Sequence, residues 1–193
     1  NTAKVHPVPA GVTLAKEAIA RGATPVVLAD HSDRSGAATW ILKEVIAQDL
    51  EGVLFATIAD REAVLAVKEE GLKAGDPFDR EVGGRVDASA GPPVRIQGTI
   101  TGVVEHAGRT TVGVAFGRGN VVLLSEYLTQ IVDPAELRLP TSGFKAFAIK
   151  SRVHFRRGFD DSGFAPTILL VEPVEPFLGT IRLDALQIGR AHV

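Results

Sequence analysis

PVVLADHSDRSG, residues 25–36, decides the fold. Val26–Ala29 is a short apolar run rich in Val, bounded by Pro25 and Asp30, and reads as a strand buried on both faces. Ser35 and Gly36 then open a helix through Gln48, with Trp40, Ile41, Val45 and Ile46 on one face. Val53–Ile58 (VLFATI) repeats the buried-strand pattern. Asp60 is a good N-cap for a helix over Arg61–Glu70, and Gly71 ends it. Upstream, Val12–Arg21 is helix-forming, with Gly22 just beyond. Strand and helix alternating in this way imply a parallel sheet with right-handed crossovers.

Further along, the pattern changes. Gly75–Pro93 is rich in Gly, Pro and Asp and reads as loop. VRIQGTITGVVE, TTVGVAF and NVVLL, within Val94–Leu124, alternate or are β-branched, and His106–Arg109 and Gly117–Asn120 break them. That is an antiparallel meander. Glu126–Leu139 is helical in part from Asp133-Pro134, Phe144–Ile149 is a strand, Phe155–Asp160 a short helix and Thr167–Val171 a strand. The expected fold class is α/β: a three-layer, parallel-core sheet of three or four strands, with helices on its faces and an antiparallel β insertion.

Composition narrows the function classes. The 193 residues are 45% hydrophobic and 23% charged, an ordinary globular balance. A net charge of −2 gives no global pull towards nucleic acid or anionic membrane, so neither is an expected partner and any anion preference must be local. There is no cysteine, which excludes disulfides and thiolate metal sites and fits a cytoplasmic location. No apolar run approaches the roughly 20 residues that span a bilayer. The chain opens at Asn1 and contains no Met, as expected of a fragment of a longer reading frame. Its last residues, QIGRAHV, read as a translated sequencing adapter, so Gln187–Val193, with His192, are set aside and residues 1–186 taken as the domain.

In a parallel sheet, ligands bind beyond the carboxyl ends of the strands. Two such ends here are more polar than a turn needs. The first is Asp30-His31-Ser32-Asp33-Arg34-Ser35-Gly36. Ser35 and Gly36 at a helix N-terminus would offer backbone N–H groups to an anion or oxyanion, and Arg34 would add a cation. Asp30, His31 and Asp33 could ligate a metal or relay a proton. The plainer reading makes Asp33 and Ser35 capping residues and leaves the rest solvated.

The second end lies in KAFAIKSRVHFRRGF, Lys145–Phe159, where an apolar run meets Lys150, Ser151, Arg152, His154, Arg156 and Arg157 with no acid to balance them. Arg152 and His154 alternate with Val153 and Phe155, so inward apolar residues would turn the polar ones to a cleft or to solvent. Arg152 could grip a carboxylate through two hydrogen bonds. His154 is the best general acid–base candidate, since histidine titrates at about 6.5. A solvated basic turn, or a surface for an acidic partner, is the alternative. His6 and His106 fall in loop-like surroundings, and Gly83-Gly84-Arg85 could form a backbone nest for an anion or a plain turn. No HExxH, GxSxG, P-loop or GxGxxG occurs, and no cluster of three metal ligands stands out.

Four stretches together resemble the C-terminal domain of the MlrC family: PVVLADHSDRSG, EVGGRVDASAGPPVRIQGTI, GNVVLLSEYLTQIVDPAEL and IKSRVHFRRGF with TILLVEP. The resemblance covers nearly all of Pro25–Ala185, in order. It implies a zinc metallopeptidase whose Asp and His ligands lie in a separate N-terminal domain, absent from this chain. That domain would be the partner of this one. The C-terminal domain would line the cleft through Asp30–Gly36 and Lys150–Phe155. Many members read DNxDNxGGG at the first loop. DHSDRSGAA keeps Asp30, Asp33 and Gly36 but shortens the Gly run, which implies a substrate other than a microcystin fragment.

Two functions follow as expectations. The first is the cleft-lining half of a zinc-dependent peptide or amide hydrolase, inactive alone. Here His154, Arg152 and Asp33 would be catalytic, and Asp30, His31, Arg34, Ser35, Gly36, Lys150 and Ser151 would bind a small peptide or amide. The second is a non-catalytic small-molecule-binding or assembly module. Association into a homo-oligomer is compatible with either.

Overall fold

Continuous apolar runs and alternating runs build two different kinds of strand in this chain. The structure, a computed structural model, describes residues 4–32, 35–86 and 88–174. Asp33, Arg34 and the adapter-like tail Gln187–Val193 lie outside the described residues. Among the described residues nine strands form one sheet: β1 (Val5–Pro7), β2 (Val26–Asp30), β3 (Val53–Ala59), β4 (Pro77–Val82), β5 (Val94–His106), β6 (Arg109–Phe116), β7 (Asn120–Ser125), β8 (Ala146–Lys150) and β9 (Thr167–Glu172). Their order is β1-β9-β2-β8-β3-β7-β6-β5-β4. The run from β1 to β7 is parallel, and β7-β6-β5-β4 is antiparallel.

The expected α/β class is the observed one, with more strands. The meander does not stand apart from the parallel core. Its last strand, β7, pairs parallel with β3, so the antiparallel strands extend the same sheet. Val26 to Asp30 are all buried, as suits a strand covered on both faces, whereas β5 shows the one-sided alternation of a strand with a solvent face.

Three helices, α1 (Val8–Ala20), α2 (Trp40–Ala47) and α3 (Arg61–Glu69), pack on one face, where Val12, Leu42, Val45 and Val64 meet Val26, Leu28, Val53 and Phe55. The other face is covered by segments with a 3₁₀ turn at Pro134–Leu137 and a π turn at Arg156–Asp160. There Phe155, Phe159, Ile131 and Leu137 cover Val27, Leu54, Phe147 and Ile149. Chain order explains the three layers. From β1 through β2 to β3 the chain steps one way along the sheet, and from β7 through β8 to β9 it steps back. Right-handed crossovers that travel in opposite directions must lie on opposite faces.

Asp60 caps α3 as expected, its Oδ1 accepting from the Ala63 N–H at 2.9 Å. Two expectations need correction. Gly75–Pro93 is not all loop, because β4 lies within it, with Phe78 and Val82 buried against β5. Helix α2 starts at Trp40 rather than at Ser35, and its buried face is Ile41, Leu42 and Val45, with Ile46 exposed. The backbone of residues 36–39 is used elsewhere. Gly36 O accepts from Ala59 N at 2.7 Å, Ala37 O accepts from Gly84 N at 2.9 Å, and Thr39 N donates to Ala90 O at 2.9 Å. Groups committed to neighbouring segments cannot enter the helical ladder. Among the described residues no helix is long and apolar enough to cross a membrane.

Candidate functional site

The two polar strand ends identified in sequence become neighbours, because β2 and β8 pair in parallel with Asp30 opposite Lys150. The Lys150 ammonium lies 4.0 Å from Asp30 Oδ1 and donates to Asp30 O at 3.3 Å, and both side chains are almost buried. Asp30 Oδ1 also accepts from the Ser32 N–H at 2.9 Å and from the Ser32 hydroxyl at 2.7 Å. The carboxylate therefore folds its own loop into an Asx-type turn while facing a cation on the next strand. The basic block is not without acids: Asp30 answers Lys150, and Asp160 lies 3.6 Å from Arg156.

Arg152 joins the two loops directly. Its Nε donates to His31 O at 2.6 Å, and an Nη lies 3.5 Å from Ser32 O. The guanidinium thus clasps the β2 loop by its carbonyls, a use not anticipated from sequence. His31 continues from β2, with its N–H donating to Val171 O on β9 at 2.9 Å. Its Nδ1 is buried and finds no hydrogen-bond partner among the described residues. Burial first, then the charges of Arg152 and Lys150, push the His31 imidazole below histidine's ordinary value, against the opposing pull of Asp30.

The expected alternation along 152–155 does not occur, because β8 ends at Lys150 and a turn follows. Val153 is 56% exposed, and Phe155 is fully buried. Ser151 is buried, and its Oγ accepts from the Phe155 N–H at 3.1 Å, so it caps this turn. His154 is exposed, with Nδ1 3.4 Å from Gln130 Oε1. Ser35 and Gly36 do not form a helix N-terminus. Ser35 Oγ accepts from Ala37 N at 3.2 Å, and Gly36 holds φ +73° beneath Leu128. A Cβ at Gly36 would lie 2.2 Å from Leu128 Cδ1, the end of an exposed side chain that can turn away, so it is the positive φ that favours glycine there.

Three contributors were missed: Gln130, Thr57 and Leu128. They come with the β3 and β7 ends, and the loop after β7 is pinned across the same edge by Thr57 Oγ1 donating to Thr129 O at 2.8 Å. The signal for them was available, since the strand-end rule applies to β7 once β7 is read as parallel to β3. The anion nest considered at Gly83-Gly84-Arg85 has an occupant within the chain. Asp60 Oδ2 accepts from Gly83 N at 2.7 Å and from Arg85 Nη1 at 2.6 Å.

Beside Asp30 and Lys150 is a small hollow of ≈ 30 Å³, lined also by Thr57, Ile58, Ile41 and Leu42. It holds about one water and no substrate. A wider concavity, ≈ 720 Å³, lies on the second face between Asp133–Thr141 and Gly158–Phe164. Its acid, Asp133, is engaged in capping Ala135 N at 2.9 Å. The polar strand ends therefore make the better candidate, as an open edge rather than a closed pocket. Among the described residues no three His, Asp or Glu side chains come together to hold a metal ion, so these residues offer no zinc site of their own.

An α/β sheet whose parallel strands deliver charged loops to a shared carboxyl edge defines the class of domain. Residues 28–171 match the family described as MlrC C-terminus, and the chain belongs to that family. It is 30% identical over 171 residues to Microcystinase C from Sphingomonas sp., an alignment covering 80% of this chain and 33% of that protein. A solved structure of a candidate metallopeptidase from Mesorhizobium sp. BNC1 shares the fold, with a TM-score of 0.71 at 16% identity, over 93% of this chain and 42% of the other. The chain thus spans about a third of the length of the curated relative that it matches.

Proposed function

We propose that this chain forms one wall of the active site of a metal-dependent peptide or amide hydrolase, with zinc as the metal and its ligands on a longer protein's N-terminal domain. The observation that carries this reading is the Asp30–Lys150 register, which sets two charged loops side by side on an open, shallow edge. The names of the two relatives, a microcystinase and a candidate metallopeptidase, support it.

In this reading Asp30, His31, Arg34, Ser35, Gly36, Lys150 and Ser151 form the substrate-binding edge. Lys150 supplies positive charge to a carboxylate or a polarised carbonyl, and Arg34 would add a second cation. Arg152 acts through its hold on His31 and Ser32, keeping the loop in place for the substrate. His154 and Asp33 carry protons to or from the reacting amide. The metal, when bound, would polarise the scissile carbonyl. Exposed Tyr127, Leu128 and Val153 suit the rim on which the second wall closes.

Kinetics of the longer protein test this. His154→Ala and Arg152→Ala should each lower kcat/KM by about tenfold or more with metal content unchanged. Unchanged kinetics in both variants would remove this edge from the active site. It would favour a binding or assembly module instead.

A further inference from the structure

Gln130 stands between a buried anchor and an exposed histidine. Its Nε2 donates to Ser151 Oγ at 3.1 Å, and its Oε1 lies 3.4 Å from His154 Nδ1, at the long end of hydrogen-bond range. Ser151 is buried and its Oγ also takes the Phe155 N–H at 3.1 Å, so both acceptor positions of that hydroxyl are filled by fixed donors. The backbone at Gln130 is equally constrained. On one side the carbonyl of Thr129 accepts from Thr57 Oγ1 at 2.8 Å, and on the other Ile131 is buried in the second-face core. The exposed Gln130 amide is thus anchored through its nitrogen on the buried Ser151 hydroxyl, which leaves its oxygen facing His154 Nδ1.

We propose that Gln130 is a positioning residue that sets the tautomer of His154. Nδ1 carries the proton and donates it to Gln130 Oε1, and Nε2 keeps its lone pair. Which nitrogen of an imidazole is protonated is set by the bond that the other one makes. In the structure His154 is exposed, and no described residue partners its Nε2. The arrangement survives protonation, because Nδ1 donates to the same oxygen in the neutral and charged forms. Only Nε2 gains or loses a proton, and Gln130 need not move when it does. A basic Nε2 held in a fixed direction is what a proton carrier at this edge requires. The inference rests on the reading of His154 as that carrier but goes beyond it by naming the atom and the residue that selects it.

Nitrogen-15 NMR of the histidine-labelled protein at about pH 8, where imidazoles are largely neutral, reads the tautomer directly. The expected result is a pyrrole-type shift at Nδ1 and a pyridine-type shift at Nε2 of His154. Gln130→Ala should move both shifts towards a mixture of tautomers. Gln130→Glu, which keeps an acceptor opposite Nδ1, should restore them. A wild-type His154 protonated at Nε2, or a Gln130→Ala spectrum identical to wild type, would overturn the inference. If Gln130→Ala does not fold, the wild-type tautomer alone decides. His154→Ala kinetics in the longer protein separate the two ideas: an active variant, with the Nδ1–H tautomer present in the wild type, would remove the catalytic role and leave the tautomer assignment standing.

Discussion

In the parallel half of the sheet, β2 and β8 meet although more than a hundred residues separate them in sequence. In the antiparallel half, each of β4 to β7 pairs with its neighbour in the chain. Charges are used differently as a result. On β4 and β5, Arg95 donates to both oxygens of Asp79 at 2.7 and 2.9 Å, with Gln97 at 3.1 Å. These are cross-strand pairs on an exposed surface, complete in themselves. At the parallel edge, Asp30, Lys150 and Arg152 instead hold the backbone of loops drawn from distant parts of the chain. The first arrangement stays within one hairpin, whereas the second ties together loops that the chain order keeps apart.

Substitution can break that contrast, beginning with the core. Phe147, fully buried on β8, meets Phe144, Phe159 and Phe164 with ring centroids 6.0, 6.3 and 5.1 Å away. Phe147→Ala should cost about 3–5 kcal/mol in denaturant unfolding. Val104→Ala, on the exposed end of β5, should change stability by no more than about 0.5 kcal/mol. Comparable losses would contradict the burial of Phe147 and the exposure of Val104. Next comes Asp60, which caps α3 and holds the turn after β4. Asp60→Ala should cost about 1–3 kcal/mol, since it strands buried donors as well as the cap.

His31 sharpens the contrast through pH. Its folded-state pKa is lowered, so below about pH 6.5 the unfolded chain binds more protons than the folded one. The stability that its neutral form contributes is whole at higher pH. It is lost as pH falls through that value, until the folded imidazole protonates too. His31→Gln should therefore flatten the stability profile across the mildly acidic range, and an unchanged profile would contradict the assignment. The smallest effect is expected at Arg95. Asp79 is held down to about 2 by hydrogen bonds from Arg95 and then Gln97. Arg95→Ala should raise that value in an NMR titration while leaving unfolding nearly unchanged, as suits an exposed pair.

Much of the parallel half could be read in the sequence because burial on both faces leaves uninterrupted apolar runs, as at Val26–Ala29 and Val53–Ile58. Strand β4 was hidden because Asp79, Arg80 and Glu81 separate its two buried residues, Phe78 and Val82. Both polar strand ends were legible as local composition. Their register was not, since pairing of β2 with β8 depends on the whole crossover order. The clasp by Arg152 was illegible for the same reason, since it acts on a loop that only the closed sheet brings near, while Gln130 was hidden by the meander pattern of β7, whose alternation does not show its parallel pairing with β3. The start of α2 was misplaced because Ser35-Gly36 has the composition of a helix start, while tertiary hydrogen bonds claim the backbone that follows.

The central claim is that the carboxyl edge of β2 and β8 faces the chemistry. A structure of the longer protein with its metal bound tests it most directly. A second domain should close over this edge, burying Tyr127, Leu128 and Val153 and setting the metal opposite Asp30–His31 and Ser151–His154. A metal centre facing the amino edge near Gly117–Asn120, or the antiparallel strands β4 and β5, would contradict it.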